Sequence, residues 1–158
     1  MLKTLRRIVQ EVSSAQNLSE SLSILVKKIS EATQTKAVSV YLIDNQTAEY
    51  VLTAVSGLNP HAVGLVRLSL DQGLIGLVGR REEPINLDDS SQHPDFFEDS
   101  TVDDNLLKAF LGVPIIHHRR LYGVLTLQQN EPRKFDESEE AFLVTLAAQL
   151  GGIIAHSE

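Results

Sequence analysis

The chain contains no cysteine and no tryptophan, and a single methionine among its 158 residues. Without thiols there is no disulfide, no thiolate metal centre, no cysteine nucleophile and no thioether link to a cofactor. That absence suits a reducing compartment, and a cytoplasmic location is expected. No apolar run reaches the ~18 residues a membrane span needs, so no membrane association is expected. The first residues, "MLKTLRRIVQEVSS", are broken by charges every few positions and do not read as a signal peptide. A basic face is lacking too: the formal net charge is −7. Residues 82–107 hold nine acids and no Lys or Arg, while the rest of the chain carries twelve acids against fourteen bases. Acidity is therefore one segment, and nucleic-acid binding, which needs cations to displace counterions from phosphates, is not expected.

The remaining composition is ordinary for a globular chain, with 42% hydrophobic and 22% charged residues. Its length suits one domain with one core, residues 1–158. Leu5, Ile8, Val9 and Val12 fall on one stripe of a helix, and Leu18, Leu22, Leu25, Val26 and Ile29 on a second. Asn17 with Glu20 three residues on predicts a capping box at the start of that second helix.

The period then shortens to two. Residues 37–44 and 48–56 read as strands joined by a turn, and residues 63–70 as a third. Residues 71–82, "DQGLIGLVGRRE", predict a short helix opened by Asp71, and 84–88 a short strand. Residues 89–105 are irregular and acidic, the length and composition of a binding loop or lid. Two more strands occupy 109–130. A last helix starts at Asp136, with Glu139 completing a capping box, and turns Phe142, Leu143, Leu146, Leu150 and Ile153 inward. Strands in hairpins with helices at both ends of the chain predict an α+β fold. About six antiparallel strands have the terminal helices on one face, and the short helix and acidic loop over the other.

Between the last two strands stands "HHRR", His117–Arg120. Adjacent histidines point to opposite faces in a strand and splay to solvent in a tight turn. No third ligand is near in sequence, and Arg119 and Arg120 repel a cation. A solvated hairpin turn is expected, not a metal site.

Here the chain becomes recognisable. Leu111-x-Val113-Pro114-Ile115, a polar turn, then Gly123-Val124-Leu125 resembles the paired central strands of GAF domains. "GLIGLVGRREEPINL", "HPDF", "AFLGVPII" and "FDESEEAFLVTLA", spanning residues 73–147, resemble the N-terminal sensory domains of nitrogen-related phosphoenolpyruvate-protein phosphotransferases, enzymes I of the nitrogen phosphotransferase system. That resemblance implies a single GAF domain acting as sensor for a longer enzyme, its catalytic regions absent here. Such enzymes phosphorylate a histidine in a Gly-Gly-x-Thr-Ser-His segment. "GGIIAH", Gly151–His156, lacks the hydroxyl residues and reads as small residues that let a helix pack closely. This chain is therefore not expected to be an enzyme itself, and holds no cofactor. Magnesium and a phosphocarrier protein belong to the full-length parent.

GAF domains hold a ligand between the sheet and the segment joining the third and fifth strands. Carried onto this sequence, the candidate contacts are Asp71, Gly73, Gly76, Asn86, Asp88, Asp89, His93, Phe96 and Phe97, with Tyr41 and Phe110 as floor. Carboxylates would take an ammonium, and the helix start at Gly73–Gly76 a carboxylate. The implied effector is an amino acid or 2-oxo acid, glutamine or 2-oxoglutarate, modulating phosphoenolpyruvate-dependent autophosphorylation of the attached enzyme. Bilin attachment and free methionine sulfoxide reduction both need cysteine. The cyclic-nucleotide signature is met in part by Asn130, Phe135 and Glu139-Glu140, with Glu131 where lysine belongs. A divalent cation on Asp88, Asp89, Asp95, Glu98, Asp99, Asp103 and Asp104 fits no EF-hand spacing. The other class of reading is a dimerisation scaffold. The first and last helices carry more apolar surface than one sheet face covers, so a homodimer through them is expected, with Gly151-Gly152 admitting the partner helix and Leu5 and Leu146 at the contact.

Overall fold

The computed structural model describes residues 2–13, 17–96 and 107–157. Helices α1 (Leu2–Ser13) and α2 (Leu18–Thr33) precede strands β1 (Ala37–Asp44), β2 (Glu49–Ser56) and β3 (Arg67–Ser69). Then come α3 (Gly73–Arg81), β4 (Ile85–Leu87), β5 (Ala109–His117), β6 (Arg120–Gln129) and α4 (Glu137–His156). The six strands form one antiparallel sheet in the order β3-β2-β1-β6-β5-β4. This is the α+β arrangement the sequence predicts.

Period-two alternation sorts the strand residues onto two faces, each with its own core. Val38, Val40, Leu111, Val113, Ile115, Leu125 and Leu127 face Ile8, the buried side of α2 and the inner side of α4. Tyr41, Tyr50, Leu52, Phe110 and Val124 face Leu74, Ile75, Leu77 and Val78 of α3. The side chain of Val12, predicted on the α1 stripe, lies outside the described residues. α4 is long and apolar enough, by length and composition, to cross a membrane. Its apolarity is accounted for here by the sheet: Phe142, Leu143, Leu146, Ala147, Leu150 and Ile154 are buried, with Ile153 at the margin of the same core.

Several local expectations are refined. The third strand pairs only over Arg67–Ser69, because Pro60–Ala62 form a 3-10 turn and Val63–Val66 run on from it. Asn17 caps α2 by accepting from the Glu20 amide at 2.8 Å. At α4 both halves of the box form, and Arg133 grips Glu139 with two bonds of 2.9 and 2.8 Å. That guanidinium holds the Glu139 carboxyl below the usual carboxylate range. Pro114 is tolerated in β5 because β4 pairs only as far as Gly112, so on that side the missing N–H has no strand to serve.

His118 and Arg119 have φ of 48° and 66°, a two-residue turn with both central residues left-handed. His118 is exposed, as expected, but the His117 and His118 rings do not splay: they stack with centroids 4.0 Å apart. Arg119 is not a residue that favours positive φ. Arg119→Gly should therefore stabilise the domain by about 1 kcal/mol, whereas Arg119→Ala, which keeps the Cβ, should change it by less than ~0.5 kcal/mol. Urea titration of the two variants separates the outcomes, and equal stability would show the turn is unstrained.

Gly151 admits a close neighbour, but not another chain. A Cβ there would lie 2.9 Å from the Ile116 carbonyl oxygen and 3.1 Å from His117 Cβ, so the glycine lets α4 rest on the backbone of β5. Leu146 is likewise turned into this chain's own core, 1% exposed, and is not an association surface.

Candidate functional site

Between the second face of the sheet and α3 lies a cavity of about 50 Å³. Tyr41, Phe110 and Gln128 form its floor, from β1, β5 and β6. The register explains why these three come together: Phe110 pairs with Gln128, and Tyr41 with Val124, four residues back along the same strand face. Val66 and Leu68 form one wall, the first turn of α3 another, and buried Ser90 with half-buried Phe96 the remaining side.

α3 begins one residue later than expected and without a side-chain cap. Gln72 is the N-cap, and its carbonyl oxygen Oε1 accepts instead from the Ser69 amide at 3.2 Å. Asp71 accepts from the Ser69 hydroxyl at 2.9 Å. Both polar side chains are occupied by the β3–α3 turn, which leaves the first-turn residues Gly73, Leu74 and Ile75 lining the cavity with their backbone uncapped by a side chain. Such a helix start attracts a carboxylate or other anion. The first intrahelical bond runs from Gly76 N–H to the Gln72 carbonyl. A Cβ on Gly76 would lie 2.8 Å from the Asp71 carbonyl carbon, so that glycine serves close packing of the turn.

Of the predicted contacts, the structure brings Tyr41, Gly73, Phe96 and Phe110 to the cavity. It does not bring Asn86, Asp71, Asp88, Asp89 or His93 there. Ile85 and Leu87 face the cavity side, so Asn86 faces the helices, where its amide bonds both ways with the Phe135 backbone at 2.8 and 3.2 Å. Asp88 accepts from the Asp89 amide. Asp89 caps the 3-10 turn Ser90–Gln92 through the Ser91 amide and hydroxyl, and that hydroxyl holds its carboxyl below the usual range. His93 Nδ1 accepts from the Asp95 amide at 3.0 Å. Phe97 and the carboxylates of Glu98, Asp99, Asp103 and Asp104 lie outside the described residues.

The residues that sequence reasoning missed are Val66, Leu68, Leu74, Ile75, Ser90 and Gln128. The four aliphatics look like core, which they also are. Gln128 had a signal: it continues the Val124–Thr126 face by two. Thr126, on that face, pairs with Ser39 and Gly112 and is 1% exposed, and its hydroxyl has no partner among the described residues. No ionised side chain is among the described cavity residues, and the polar groups there include the α3 amides, the Ser90 hydroxyl and the Gln128 amide. The residues of the partial cyclic-nucleotide signature are used elsewhere: Phe135 is in the helix-side core and Glu139 in the α4 cap.

Comparison with known proteins agrees on the fold and narrows the family. The sequence profile of the GAF domain matches residues 17–154. A phosphoenolpyruvate-dependent phosphotransferase system protein of Escherichia coli (strain K12) is 49% identical over all 158 residues. This chain spans only 21% of that relative's length. Among solved structures, the GAF domain of a phosphoenolpyruvate-protein phosphotransferase from Coxiella burnetii is 47% identical, with a TM-score of 0.94, covering 99% of this chain and 93% of that one. The corresponding Acinetobacter domain is 45% identical, with a TM-score of 0.92, over 99% and 93% of the two chains.

Proposed function

The chain belongs to the GAF domain family, and from that premise we propose that it is a sensory module that binds a small carboxylate metabolite between its sheet and α3. The observation that carries this reading is the uncapped first turn of α3 opening onto an otherwise uncharged cavity. Glutamine and 2-oxoglutarate are the proposed ligands: the α3 amides would take a carboxylate, and Ser90 or Gln128 an amide, ammonium or oxo group. In a longer protein like the relatives, occupancy would bias phosphoenolpyruvate-dependent autophosphorylation, and so phosphoryl passage to a phosphocarrier protein. Control of that kind makes the domain regulatory rather than catalytic. Cyclic nucleotides fit less well, because Phe135 and Glu139 of the partial signature serve the helix-side core and the α4 cap.

A panel of glutamine, glutamate, 2-oxoglutarate and cyclic nucleotides tests this by thermal shift and calorimetry. A ligand present at 100 times its Kd should add about 2.7 kcal/mol. For a domain this size that is a rise of roughly 5–10 °C in Tm. Silence from the whole panel at millimolar concentration would remove the sensor reading.

A second copy of the chain is the other proposed partner. Leu2, Leu5, Ala141, Phe142 and Thr145 line an open groove between α1 and α4, with Leu2 69% exposed; further round α4, Val144 is 41% exposed. Large aliphatic groups this open on two neighbouring helices favour a symmetric helical contact.

A further inference from the structure

Taking the cavity as the ligand site, we propose that Phe96 occupies part of that site in the ligand-free domain as an internal plug, with the Arg80–Asp95 ion pair as its latch. The size of the cavity motivates this. At about 50 Å³ it has room for the centres of only a few waters, each of which needs roughly 10–15 Å³. Sites for small metabolites are typically about 300 Å³ or more. Something in the wall must leave before an amino acid or 2-oxo acid can enter.

The wall residues differ in how firmly they are held. Tyr41, Phe110 and Gln128 stand on the three central strands, and Leu68 on paired β3. Leu74 and Ile75 belong to α3 and are buried. Ser90 is fixed by its amide to the Lys108 carbonyl at 2.6 Å and by the Asp89 cap. Phe96 alone among the described lining residues stands on an irregular segment and is only half-buried. Its ring is aimed inward by a tight turn in which its amide donates to the His93 carbonyl at 3.0 Å. The neighbouring Asp95 reaches Arg80 on α3 at 3.8 Å, both side chains about two-fifths exposed. A pair so exposed holds weakly and is screened by salt, which suits a plug that a ligand must displace. A ligand that binds only the unplugged form then has its affinity lowered by the closed fraction.

The cysteine-free chain allows a direct test that needs no ligand. Ser90→Cys places one buried thiol against the cavity, and His118→Cys one on the exposed turn as reference. Iodoacetamide modification, followed by mass, should be at least about tenfold slower at position 90 than at 118. Phe96→Ala should raise the rate at position 90 by about tenfold, and Phe96→Leu should leave it near that of the native ring. Arg80→Gln should raise it less, and the addition of ~0.5 M salt should reproduce that smaller rise. If the Ser90 variant does not fold, Gln128→Cys on the floor of the cavity gives the same readout. Equal rates with and without the Phe96 ring would overturn the plug. If the ring controls access yet neither glutamine nor 2-oxoglutarate shifts the melting temperature of the native chain at millimolar concentration, the plug stands and the sensor reading falls.

Discussion

Gly79→Ala is expected to cost the domain about 3–5 kcal/mol, a large part of the stability of a chain this size. Gly79 is on the side of α3 that meets β2. A Cβ there would overlap the hydroxyl of Tyr50, a side chain 1% exposed whose ionisation burial pushes up. Either α3 lifts from the sheet or Tyr50 leaves the core. The first outcome removes the α3 wall of the cavity, and the second resembles deletion of a buried aromatic, at about 3–5 kcal/mol. The cause can be isolated by a second substitution. Tyr50→Phe removes the overlapping oxygen, after which the nearest atom to the new Cβ is the ring carbon at 3.1 Å. The double variant should therefore recover most of the loss in urea titrations. Additive losses would show that the glycine is needed for some reason other than Tyr50.

Val144→Asp and Leu146→Asp should have opposite consequences although they are two residues apart. Leu146 packs in the helix-side core. An unpaired carboxylate there should leave the chain largely unfolded, through loss of the leucine, ~2–5 kcal/mol, and desolvation of the charge. Val144 is 41% exposed, and an aspartate there meets solvent in the single chain. Its folding should change by less than ~0.5 kcal/mol. If the α1–α4 face joins two copies, the native chain should sediment at twice its 17.4 kDa, and Val144→Asp at 17.4 kDa while keeping its melting temperature at low concentration. A native monomer at high micromolar concentration would eliminate the homodimer.

The architecture was legible because period carries it. Leu22, Leu25, Val26 and Ile29 recur at helical spacing and are buried together, and the change to period two marks β1. The lining of the cavity was legible only in part, because two kinds of residue are hard to place from sequence. Asp88, Asp89 and His93 look like ligand contacts by type, but short polar side chains beside turns satisfy their own backbone first, and all three do. Val66, Leu68, Leu74 and Ile75 look like plain core, and nothing in a single aliphatic residue says that its neighbour in space is a cavity. Asn86 could have been placed correctly from alternation alone, since Ile85 and Leu87 flank it on the opposite face.

Gly151 has a mechanical consequence. Most helices ride on a sheet through a layer of side chains, and rotamer changes in that layer can absorb small displacements. α4 has no such cushion where it crosses the end of β5, because helix and strand backbones meet directly at Ile116. The same strand carries Phe110 under the cavity, six residues and roughly 20 Å away. Its ladder to β6 resists shortening, so a sideways push at Phe110 can reach the far end only as tilt. At Gly151 there is no slack to take that tilt up. A direct backbone joint thus links the strand under the cavity to the last helix, and it exists because one glycine has no side chain.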